Sequence, residues 1–123
     1  MTAVKRALAG HPPSRLLLAG LLAVAAFVHL ARIGSLPCAA DDAACAGLGV
    51  VYLVLVGMVL LGERWGNLAA AIFPLIGVVL LGDYRSFAYY GNPIDAMDPV
   101  VELLVVPVAV FVIRATMREE CCR

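Results

Sequence analysis

Few side chains in this 123-residue sequence could do chemistry, and their placement is more telling than their number. His29 and Arg32 lie three residues apart near the end of the apolar run Leu16–Ile33, and so share one helical face. Asp98 and Glu102 lie four apart at the start of the run Val100–Ile113, again on one face. Tyr52 falls inside the uncharged run Cys45–Gly62. Ionisable groups within apolar segments are costly, which makes them functional candidates. His29, Arg32, Tyr52, Asp98 and Glu102 therefore form a candidate polar site, with Arg32 and Glu102 expected to make a charge pair. One reading is a pin that fixes the first and last helices. The other is a small-solute, proton or metal site, since one His and two carboxylates could hold a divalent ion. No metal can be assigned from this pattern.

The cysteines come as two pairs. Cys38 and Cys45 enclose the stretch CAADDAAC, and an oxidising exterior would permit a disulfide between them. Cys121 and Cys122 are neighbours in the tail MREECCR, expected as thiols in a reducing compartment; soft-metal capture or acylation are the alternatives. The chain contains no glycine-rich nucleotide loop, no H-E-x-x-H and no G-x-S-x-G elbow. No catalytic residue and no cofactor are expected, and the chain reads as a non-enzyme.

The elements that must carry these residues follow from the solvent the composition demands. Hydrophobic residues make up 63% and charged residues 15%, against about 45–50% and about 25% for soluble domains. Mean hydropathy is +0.98. A soluble chain this short has too little interior for so much apolar surface. A lipid bilayer is the expected surrounding. The runs Leu16–Ile33, Cys45–Gly62 and Trp65–Gly82 each reach the roughly 17–25 residues of a membrane-crossing helix. Val100–Ile113 is shorter and needs Asp98-Pro99 as its start and Arg114 reaching to the headgroups. The first run follows Lys5, Arg6 and Arg15 and could be a cleaved signal; its length and Arg32 favour a retained helix.

The expectation is an all-α, integral membrane antiparallel four-helix bundle, a single domain over 1–123, with helices at about 14–34, 45–62, 65–82 and 99–117. If the chain starts inside, Lys5, Arg6, Arg15, Arg64, Arg114, Arg118 and Arg123 face the cytoplasm, and only Arg32 and Arg85 face out. The positive-inside rule then places both termini in the cytoplasm, and the cytoplasmic membrane is the expected location. Net charge is zero, which gives no pull toward nucleic acid. The stretch 83–98, with Tyr84, Phe87, Tyr89 and Tyr90, fits an aromatic belt on the outer surface, or a partner-binding surface. Asp98-Pro99 reads as an N-cap followed by proline at the first helical position.

A hexapeptide, Gly-x-Val-Leu-Leu-Gly, occurs at 57–62 and again at 77–82, each time followed by an acid. Gly62 and Gly82 fit left-handed helix C-caps. Gly57 and Gly77 fit close helix approach. Convergence on capping and packing accounts for the repeat, with hairpin duplication the alternative. The stretch LVGMVLLGERWGNLAAAIFPLIGVVLLG (55–82) resembles the hairpin of drug/metabolite transporters, including small four-helix multidrug exporters. Those often carry Leu-Gly-Glu-Arg at a turn before a glycine-rich helix. The resemblance implies a small oligomeric transporter. Where such exporters carry a buried Glu in their first helix, this chain carries His29.

Three functions stay open on sequence alone. A non-enzymatic accessory or structural subunit, associating with itself or a larger membrane complex, comes first. A small oligomeric transporter with an outward-facing polar site between helices one and four comes second. A membrane thiol redox protein comes third, although its cysteine pairs would lie on opposite sides of the membrane.

Overall fold

The computed structural model describes residues 10–33, 39–80 and 93–121. They form four α-helices: α1 Pro13–Ala31, α2 Ala39–Leu61, α3 Arg64–Leu80 and α4 Pro93–Cys121. Successive helices run antiparallel. Arg15 at the start of α1 lies against Gly62 at the end of α2, while Leu30 at the end of α1 meets Gly49 early in α2. At that same end, Gly77 late in α3 meets Glu102 early in α4.

Each boundary has a local cause. Pro12-Pro13 opens α1, where a missing N–H costs nothing and the fixed φ suits a first turn. The α2–α3 connection is two residues long, Gly62 and Glu63. Gly62 takes φ +80°, its N–H donates to Val59 O at 3.1 Å, and the Glu63 N–H donates to Met58 O at 3.0 Å. That bond pair is a Schellman C-cap, and only glycine adopts the left-handed backbone cheaply. The Arg15 guanidinium packs over this cap, where a cation suits the negative end of the α2 dipole.

Two helices begin six residues earlier than expected. α2 starts at Ala39 rather than about 45, which takes Asp41 and Asp42 out of a loop and into its first turns. Alanine is the strongest helix former, and early acids suit the dipole, so the segment AADDAA continues the helix. α4 starts at Pro93 rather than 99, which overturns the Asp98-Pro99 cap. Pro93 takes the first helical position instead, and Pro99 sits inside the helix with Pro107. α1 ends at Ala31, three residues short of expectation, where the Arg32 N–H bonds back to Val28 O at 3.2 Å. α4 runs to Cys121, beyond the expected 117.

The core is a single seam of small and branched side chains. Leu18, Leu22, Ala25 and Ala26 of α1 pack with Tyr52, Leu55 and Val59 of α2, Ala70 and Ala71 of α3, and Val101, Val105, Ala109 and Val112 of α4. The opposite faces are apolar and exposed. Phe27 (71%), Leu61 (81%) and Phe111 (62%) are mostly uncovered, and Leu17, Val50, Leu53, Val54, Leu103 and Leu104 are exposed beside them. A water-facing bundle does not carry contiguous apolar surface of this kind. Pro13–Ala31, Ala43–Leu61 and Pro99–Arg118 are long and apolar enough to cross a membrane. α3, at 17 residues, sits at the lower limit of that length. The expected aromatic belt at 84–90 and the second hexapeptide's Gly82 lie outside the described residues.

Candidate functional site

The polar layer forms where the ends of α1 and α3 meet the early turns of α2 and α4. His29 and Tyr52 are fully buried, Glu102 is 2% exposed and Arg32 is 5% exposed. Tyr52 Oη donates to Glu102 Oε1 at 2.8 Å. His29 Nε2 lies 3.5 Å from the same oxygen. The imidazole stacks on the Tyr52 ring, with centroids 5.3 Å apart and planes 13° from parallel. The other side of Tyr52 meets the edge of Phe73 on α3, centroids 5.6 Å apart at 82°. One carboxylate oxygen thus ties α1, α2 and α4, and the aromatic contact adds α3.

Gly77 supplies the space. A Cβ there would stand 3.2 Å from Glu102 Oε1 and 3.3 Å from Oε2, so any side chain on α3 would press on the carboxylate. Gly57, its counterpart in the first hexapeptide, meets nothing within 4 Å. The close-approach reading therefore holds for Gly77 and fails for Gly57, which faces outward. Sequence reasoning had found neither Gly77 nor Phe73 as a neighbour of the polar layer. The hexapeptide hinted at Gly77, but nothing in the sequence named the helix it would meet.

Of the five expected residues, the structure brings His29, Tyr52 and Glu102 together and buries Arg32 at the same end. The expected Arg32–Glu102 pairing is replaced at the carboxylate by Tyr52 and His29. Glu102 Oε2 has no hydrogen-bond partner among the described residues. Asp98 lies on α4 four residues before Glu102, hence on a similar face; its side chain lies outside the described residues. Among the described residues, no three His, Cys, Asp or Glu side chains converge as metal ligands. None of the three principal grooves is lined by His29, Tyr52 or Glu102.

No disulfide is present among the described residues. Cys45 is buried in α2, and Cys38, its expected partner, lies outside them. Cys121 is exposed at the end of α4. At the opposite end of the bundle a second polar residue is buried that the sequence reading had passed over. Asn67 on α3 is 2% exposed, and its Oδ1 has no hydrogen-bond partner among the described residues.

Compared with protein-family models, curated proteins and solved structures, the chain matches none. The local likeness of 55–82 to drug/metabolite transporters rests on those residues alone.

Proposed function

We propose that this chain is a small multi-pass protein of the cytoplasmic membrane that works without catalysis, as an accessory or structural subunit. Its four helices cross the bilayer with both termini in the cytoplasm. It associates through its exposed apolar faces with copies of itself or with a larger membrane complex. The observation that carries this reading is the closed Tyr52–Glu102–His29 knot, which joins three helices, abuts the fourth and opens onto none of the principal grooves. A knot of this kind fixes helix register and leaves the outer faces as the working surface. Native mass spectrometry on gently solubilised membranes tests it. Either a stable homo-oligomer or an unrelated membrane protein in fixed ratio is expected; a lone monomer overturns the reading.

A second reading has one observation in its favour. Glu102 Oε2 is buried and lacks a hydrogen-bond partner among the described residues, and a carboxylate held so within a membrane helix suits a proton or small cation. Under that reading the chain is a small oligomeric transporter whose polar layer opens outward by separation of α1 from α4. Solute or proton flux into vesicles that Glu102→Gln abolishes, with the bundle intact, would select it over the accessory role.

A further inference from the structure

Two grooves flank α3 at the end away from the polar knot, and they share Trp65 and Leu68. The groove toward α4 has a volume of 410 Å³, with Arg64, Asn67 and Thr116 among its polar lining and Ile113 and Met117 in its wall. The groove toward α2 measures 380 Å³ and is lined by apolar side chains, from Met58 through Phe73 to Ile76. Both volumes fall in the ~300–1,000 Å³ range of small-molecule sites. The step from Trp65 to Ile76 covers about 16 Å of helix axis at ~1.5 Å per residue. That is one leaflet's share of a hydrocarbon core about 30 Å thick.

The ends of these grooves differ in chemistry. Toward the bundle interior they are apolar. At the rim stand the exposed Arg64 and Trp65, and the buried Asn67 amide has an oxygen with no hydrogen-bond partner among the described residues. Arg15, Arg114 and Arg118 lie at the same end of the bundle, against the single described acid Glu63. Paired apolar channels that meet at one cationic, hydrogen-bonding rim match an amphiphile with two tails and an anionic head.

We propose that a diacyl glycerophospholipid with an anionic headgroup binds astride α3. One acyl chain lies in each flanking groove, and the phosphate sits at the Arg64–Trp65 rim. The headgroup hydroxyls are within the reach of the Asn67 amide, which gains the donor that its oxygen lacks. The site is independent of whether the chain is an accessory subunit or a transporter.

Trp65 is the sole tryptophan and a shared wall of both grooves, so its fluorescence reports occupancy directly. The full chain, purified in detergent, is titrated with phosphatidylglycerol brominated near the glycerol end of one acyl chain. Quenching is expected to saturate at one lipid per chain. Lysophosphatidylglycerol, with the same head and one tail, should need at least about tenfold more, because it leaves one groove unfilled. Phosphatidylcholine should bind more weakly, and free glycerol phosphate should not displace the bound lipid. Ala69→Leu narrows the α2-side groove, and in that variant the one-tailed and two-tailed lipids should bind alike. Circular dichroism and elution volume verify that A69L keeps its fold. Should it misfold, the comparison of one-tailed and two-tailed lipid on the unaltered chain decides. Quenching that rises without saturation, equal binding of both lipids to the parent, or a folded A69L indistinguishable from the parent would overturn the site. So would an unquenched Trp65 in a chain that runs as a dimer, because a second copy would then fill the grooves.

Discussion

Glu102 is the residue on which most of the buried polar chemistry converges, so its substitutions are the most informative. Removing the carboxylate with Glu102→Ala leaves the Tyr52 hydroxyl without its acceptor in the core. An orphaned buried group costs about 1–3 kcal/mol in soluble proteins, while interhelical hydrogen bonds in membranes average nearer 0.6 kcal/mol. We expect E102A to lower the detergent melting transition and Tyr52→Phe to lower it less, by about 0.5–1.5 kcal/mol. Gly77 gives a sharper test. A methyl group there would meet the carboxylate at 3.2 Å, tighter than ordinary packing. Gly77→Ala should cost about 1–3 kcal/mol, the usual toll of overpacking. In an E102A background the same substitution should become nearly neutral. A double-mutant cycle in thermal or denaturant unfolding reads this coupling, and additive effects would refute the contact.

At the scale of the element, the two hexapeptides make opposite predictions from the same letters. Gly62 holds the Schellman cap at φ +80°, so Gly62→Ala should destabilise the α2–α3 hairpin by about 1 kcal/mol. Gly57 sits mid-helix in α2 and faces open space, so Gly57→Ala should stabilise by up to about 1 kcal/mol. Melting temperatures in one detergent settle both signs. Helix ends were the least legible feature of the sequence. A reading guided by charge placed AADDAA and PIDAMD in loops, because acids within a membrane protein suggest water. In the structure both continue helices past the apolar runs, as early acids are compatible with the N-terminal dipole whatever surrounds them.

For the whole molecule, the decisive property is an inside-out balance of surfaces. Small and branched residues fill the seam between helices, and large apolar ones such as Phe27, Leu61 and Phe111 face outward. Without lipid or detergent such a surface drives association, and we expect the chain to aggregate when detergent is diluted below its micelle concentration. The proposed orientation has its own test. A tag at either terminus should be reached by protease only in inverted vesicles, and accessibility of the two tags from opposite faces would refute an even number of crossings. A redox role would require a mobile cysteine pair. The buried position of Cys45 and the separation of Cys121 to the far end of α4 offer none among the described residues.

The sequence by itself determined the solvent, the helix count and the direction of each helix, because these depend on residue type summed over windows about as long as a bilayer is thick. It also named His29, Tyr52 and Glu102 as polar groups sharing one end, since spacing along an antiparallel hairpin fixes depth. Rotation of each helix about its own axis was left to the tertiary structure. That rotation gave Glu102 to Tyr52 and His29 rather than Arg32, turned Gly77 inward and Gly57 outward, and opened paired grooves beside Trp65. Periodicity in a helix that is apolar all round is too weak to set this angle; only the fit of side chains between four helices sets it.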